Sequence, residues 1–148
     1  MNLSMSREER ESFLAAPHVG IVSVEAPGRA PLVVPIWYGY ERGADLWIIT
    51  NQSSRKGRLI EAAGRFALCA QVETVPYKYV AVEGAVANTT PSDVERDLRP
   101  MAHRYLGQEL GDLYVAQTAA ADAGDSVVIR MRPERWTTVD YAKQFGTA

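Results

Sequence analysis

The sequence predicts a mainly β domain with flanking helices, in which antiparallel strands close into a barrel. Short apolar or alternating runs recur along most of the chain, and Gly- and Pro-bearing turns separate them. Helical signals are confined to the amino terminus, a short middle segment and a stretch after residue 90. Strands so closely spaced favour a barrel, because closure removes exposed edges.

The elements follow in order. Ser6 caps a first helix, Glu9 stands at the capping-box spacing, Phe13 and Leu14 supply its apolar contribution, and Pro17 ends it, so residues 1–17 form an amino-terminal helical segment. Val19 to Val24 reads as a strand, and Ala26 to Arg29 as a turn. Pro31 to Tyr40 reads as a second strand, with Leu32, Val34, Ile36, Tyr38 and Tyr40 on one face and Val33, Pro35, Trp37 and Gly39 on the other. Pro35 cannot donate to a ladder, which places this run at an edge, at a bulge, or where a ligand replaces a neighbouring strand. Leu46 to Thr50 is a third strand, and Arg55 to Ala63 a short helix with Leu59 and Ile60 inward. Arg65 to Val72 and Lys78 to Ala87 are two more strands. Thr90, Pro91 and Asp93 signal a helix start. Val94, Leu98, Met101 and Tyr105 mark one face of that helix, which Pro100 should kink, and Leu110 to Ala121 forms a second piece. Residues 90–121 are therefore a helical insertion, before closing strands at Ser126 to Arg132 and Trp136 to Tyr141. With no repeat and no linker, residues 1–148 read as a single domain.

Composition narrows the function. At 47% hydrophobic and 23% charged residues, the chain has the balance of a folded globular protein. A formal charge of −2 supplies no global field to recruit nucleic acid or an anionic membrane. The lone Cys69 cannot form an internal disulfide, and no Cys/His pair has metal spacing. Neither an apolar signal region nor a bilayer-length apolar run is present, so the expectation is a soluble, cytoplasmic protein.

The informative stretch is Thr50 to Ile60. The chain has three lysines in all, yet Arg55, Lys56 and Arg58 crowd the first turn of the middle helix. Cations there oppose the positive end of the helix dipole, each at about 0.3–1 kcal/mol when exposed. An anion bound at that point would reverse the sign, held by backbone N–H groups, the hydroxyls of Ser53 and Ser54 and these side chains. Read alone, the turn serves equally well as a solvated basic surface. The aromatic run at Val34 to Tyr38 shifts the balance, because Trp37 or Trp47 beside the unpaired backbone at Pro35 makes a slot for a flat ring system. No nucleophile or acid/base set stands out: His18, His103, Cys69, Tyr38, Tyr79 and Tyr141 each read better as packed or surface residues.

The run Pro35-Ile-Trp-Tyr38, then Leu46 to Thr50, then Ser54-Arg-Lys56, then Tyr79 to Gly84 resembles the pyridoxamine 5′-phosphate oxidase-like family, which includes the F420-dependent split-barrel enzymes. The resemblance spans about Val19 to Tyr141. It implies the FMN-binding split β-barrel and a homodimer with FMN or coenzyme F420 at the subunit interface. By position, Thr50, Ser54, Arg55 and Lys56 would hold the phosphate end, and Arg58 the phosphate or a longer anionic tail. Pro35, Ile36 and Trp37 would line the ring, and Tyr79, Trp136 and Tyr141 would complete the site from the partner. The family's true pyridoxamine-phosphate oxidases carry a carboxy-terminal arginine-rich substrate motif. This sequence ends soon after Lys143 without one, so that activity is not expected. FMN and F420 remain equal alternatives.

The expected function is hydride transfer between the cofactor and a small organic substrate. The competing expectations are a cofactor-binding protein without turnover, handling flavin, F420 or haem, and a purely structural barrel dimer.

Overall fold

The computed structural model describes residues 1–146. The chain runs α1 (Arg7–Ala15), β1 (Gly20–Val24), β2 (Leu32–Ile36), β3 (Leu46–Asn51), α2 (Arg55–Ala63), β4 (Arg65–Val72), β5 (Lys78–Pro91), a π-helical turn (Val94–Leu98), α3 (Arg99–Ala121), β6 (Ser126–Met131), β7 (Arg135–Asp140) and a final 3-10 turn (Tyr141–Phe145).

The strands form one curled, antiparallel sheet in the order β2-β1-β4-β5-β6-β3, with β7 pairing to β5 off that path. This is the split barrel. Its division lies in β5, the longest strand. Lys78 to Ala85 pairs with β4, while Val86 to Pro91 pairs with β6 across a bulge between Val86 and Asn88. The bulge bends the strand, so one continuous segment serves both halves.

Strand alternation fills the barrel. Val22, Val24, Leu46, Ile48, Leu68, Val80, Val82, Ile129 and Met131 are buried together, and Leu14 of α1 and Ile60 of α2 close the ends. Each such side chain contributes about 1.5–3 kcal/mol through burial. The α1 capping box forms as the sequence predicts: Ser6 Oγ accepts from Glu9 N–H at 3.1 Å, and Glu9 Oε1 accepts from Ser6 N–H at 2.9 Å.

Two elements differ from the expectation. The second strand stops at Ile36 rather than Tyr40. Beyond it, Gly39 forms an isolated antiparallel bridge with Trp47, N–H to carbonyl at 2.8 and 3.0 Å. That bridge joins the β2 edge to the β3 edge, where the sheet closes on itself. Pro35 is exposed on edge strand β2, a position that tolerates a missing N–H.

The expected helix start at Thr90 is also displaced. Thr90 and Pro91 instead end β5, opposite Val128 and Val127, because β6 offers them a ladder. Asp93 is the working cap, its Oδ2 accepting from Arg96 N–H at 2.7 Å. Pro100 falls where the π-helical turn passes into α3, and the residues around it keep helical dihedrals. The break lies at Gly107 instead, whose φ of 78° disfavours a side chain, dividing α3 into residues 99–106 and 108–121.

Candidate functional site

A cavity of about 700 Å³ lies between the outer ends of β2 and β3, the start of α2 and the second half of α3. Ile36, Trp37, Thr50 and Lys56 are in its wall, four of the residues that the sequence singles out.

The α2 end of the cavity is built by capping. Ser54 Oγ accepts from Gly57 N–H at 3.0 Å and donates to the Asn51 carbonyl at 2.6 Å. It also lies 3.3 Å from Thr50 Oγ1, which brings the two expected phosphate-side hydroxyls together. Ser53 is turned elsewhere, its hydroxyl and N–H both bonded to Asp125 Oδ2.

Lys56 carries the electrostatics. Its side chain is half-buried, and no carboxylate lies within ion-pair reach among the described residues. Burial without a counter-charge pushes its ammonium pKa below the usual lysine range. Arg55 and Arg58 are exposed on the same helix, outside the cavity wall and likewise without an ion-pair partner among the described residues.

Part of the wall is aromatic. Trp37 stacks on Tyr105 of α3 and leans against Tyr114 of the same helix. The Tyr105 hydroxyl accepts from Tyr38 N–H at 3.1 Å and lies 2.7 Å from the His18 carbonyl and 3.1 Å from the Tyr38 carbonyl. A side chain thus takes the place of the neighbouring strand that β2 lacks beyond Ile36. Tyr38 itself is buried, with its hydroxyl donating to the Leu14 carbonyl at 2.8 Å, and burial raises its pKa far above the phenol range.

Other expected residues stand apart from the cavity. Pro35 faces outward on β2. Tyr79 lies on β5 opposite Gln71 and Val139. The Trp136 ring packs edge-on against Tyr40 and under the Arg10 guanidinium, 4.6 Å from its centroid. Tyr141 opens the final turn, its N–H bonded to the Tyr77 carbonyl at 3.0 Å.

Sequence reasoning missed one wall. Tyr114, Gln117 and Thr118 face the cavity from the second half of α3. Their only local signal was the aromatic Tyr114, between Leu113 and Val115. Among the described residues, no group of three or more His, Cys, Asp or Glu could hold a metal, and no helix is long and apolar enough to cross a membrane.

A curled antiparallel sheet, divided within β5, defines a split-barrel protein. Residues 6–140 match the pyridoxamine 5′-phosphate oxidase family, and the chain belongs to that split-barrel family. No curated protein matches the sequence. Among solved structures, it is similar to an F420 reductase at 26% identity, covering 86% of this chain and 94% of that one with a TM-score of 0.72. An FAD-binding protein from Mesorhizobium loti is 22% identical, with 91% and 93% of the two chains covered and a TM-score of 0.64. An FAD and haem binding protein from Mycobacterium smegmatis is 16% identical, with 95% and 73% covered and a TM-score of 0.67. The last two likenesses show the fold alone.

Proposed function

We propose that the protein is an oxidoreductase that binds FMN or F420 in the cavity between β3, α2 and α3 and exchanges a hydride with a small organic substrate. The observation that carries this reading is Lys56: a half-buried cation without an ion-pair partner among the described residues, in the wall of a cavity that Trp37 also lines. An anionic group placed there would restore what burial takes from the ammonium. The similarity to an F420 reductase supports the same class of ligand.

In this reading Lys56 and Thr50 hold the phosphate end, while Arg55 and Arg58 stand outside to meet a longer anionic tail. Ile36 and Trp37 form the apolar wall against a ring system. A flavin-type cofactor held there supplies the two-electron chemistry. The protein's part is to bind, orient and exclude water, for which Trp37, Met101 and Tyr114 provide the surface. We further propose a homodimer in which Tyr79 and Tyr141 approach the site of the other subunit. Trp136 fits that role less well, since Arg10 covers it.

The second reading is binding without turnover. It is favoured by the wall itself, in which Lys56, Tyr114 and Asp122 are the titratable side chains. Fluorescence titration with FMN and with F420, followed by oxidation of the reduced cofactor in the presence of enones and quinones, separates the readings. Binding with acceptor-dependent oxidation supports the oxidoreductase. Binding with only the solution background of oxidation leaves the handling protein, and binding of neither removes both readings for these two cofactors.

A further inference from the structure

The second half of α3 forms a wall of the cavity, yet it is tied to the protein by very few polar contacts. In a straight helix Ala102 and Gly111 would be about 13.5 Å apart. Because the chain turns at Gly107, a Cβ placed on Gly111 would instead lie 3.2 Å from the Ala102 carbonyl and 2.7 Å from His103 Cδ2. The halves therefore pack on each other, and Asp112 stands at the seam.

Asp112 Oδ1 accepts from Arg99 Nη1 at 2.7 Å and faces His103 Nε2 at 2.6 Å, with that nitrogen as the donor. Arg99 is held from its other side by Glu95, at 2.8 and 2.9 Å. Among the described residues, no other side chain of 108–121 makes a hydrogen bond or an ion pair. Leu110 and Leu113 face solvent on the same segment, while Tyr114, Gln117 and Thr118 face the cavity.

We propose that Asp112 is a positioning residue for the cavity. By tying residues 108–121 to Arg99 and His103, it sets where Tyr114, Gln117 and Thr118 stand over the ligand, although it does not line the cavity itself. The proposal rests on the reading of this cavity as the cofactor site. The polar ties of this wall meet at one seam, beside the apolar contacts of buried Val115 and of Tyr114 with Trp37. A wall so tied and turned at a glycine can shift as a unit when the bonds at Asp112 change, which alters ligand residence. Both partners come from the first half of α3, so loss of Asp112 loosens the wall and removes no contact of the barrel.

The test uses the full chain carrying Asp112→Asn, which keeps the shape and removes the charge, with Leu113→Gln as a control on the same segment. Amide hydrogen exchange is followed across 108–121 and across β4 and β5, and dissociation of FMN and of F420 is timed by stopped flow. Asp112→Asn should speed exchange in 108–121 alone and shorten cofactor residence by roughly 2–30-fold, while Leu113→Gln changes neither. Unaltered exchange in 108–121 overturns the proposal whatever the cofactor does. Faster exchange with unchanged residence reduces Asp112 to a structural contact and also overturns it. If the unsubstituted protein binds neither cofactor, the cofactor reading fails by itself, and exchange alone decides whether Asp112 fastens the wall.

Discussion

The indole of Trp37 lies nearly parallel to the ring of Tyr105, with centroids 5.1 Å apart and planes inclined by 5°. One face of the indole is thus supported from α3. The Tyr105 hydroxyl meanwhile bonds the backbone of His18 and Tyr38, fixing the stack to the barrel edge. Tyr105→Phe keeps the stacked ring and leaves Tyr38 N–H without its acceptor. Stability should fall by about 1–3 kcal/mol, the cost of an unsatisfied buried donor, read from urea denaturation. Tyr105→Leu should in addition shift the tryptophan emission, because it removes the surface beneath Trp37.

Lys56 should separate binding from stability. The fold depresses its pKa by burial, so its charge is a cost to the folded state at neutral pH; that cost disappears as pH rises past the ordinary value of 10.5. Lys56→Ala should therefore weaken FMN or F420 binding by about 1.5–3 kcal/mol, the range of a charged hydrogen bond, with the urea midpoint unchanged or raised. An unchanged dissociation constant would remove the main support for the anion site.

The barrel closes where Gly39 meets Trp47, and the contact leaves no room for a side chain. A Cβ on Gly39 would lie 2.1 to 2.5 Å from atoms of the Trp47 ring. Gly39→Ala should displace Trp47 and destabilise by about 1–3 kcal/mol, as overpacking does. Near-ultraviolet circular dichroism would report the movement of the indole directly.

His18 should make stability fall with mild acid. It stacks on Phe13 with centroids 4.3 Å apart, and its Nε2 lies 3.1 Å from the Phe13 carbonyl. Burial, helped by the nearby Arg104, pushes its pKa below the usual 6.5, against the opposing pull of the Phe13 carbonyl. A group depressed in the fold contributes stability that is complete above the unfolded pKa and declines as pH falls through the folded one. The urea midpoint should thus drop between pH 7 and about pH 5, above the carboxylate range. His18→Gln should flatten that part of the profile; an equal slope in the variant would assign the effect to another group.

Much of the fold was legible because local chemistry and strand periodicity dictate it. Ser6 and Glu9 form their reciprocal cap, α2 spans the predicted Arg55 to Ala63, and β4 spans the predicted Arg65 to Val72. The site was legible in part. Ile36, Trp37, Thr50 and Lys56 meet at one cavity, whereas Pro35 and the two arginines lie outside its wall. The misplaced helix start at Thr90 shows the limit: Thr and Pro in sequence fit a cap, but a free partner strand, β6, competes for the same backbone and wins.

The sequence by itself determined the alternating strands, the capped first helix and the crowding of cations at α2, since each depends on residues within a few positions of one another. Tertiary structure alone decided which faces enclose the cavity. The support of Trp37 by Tyr105 and the bridge of Gly39 to Trp47 each join segments that are separate in the chain. Periodicity constrains which way a side chain points from its own backbone; it carries no information about which distant surface will pack against it.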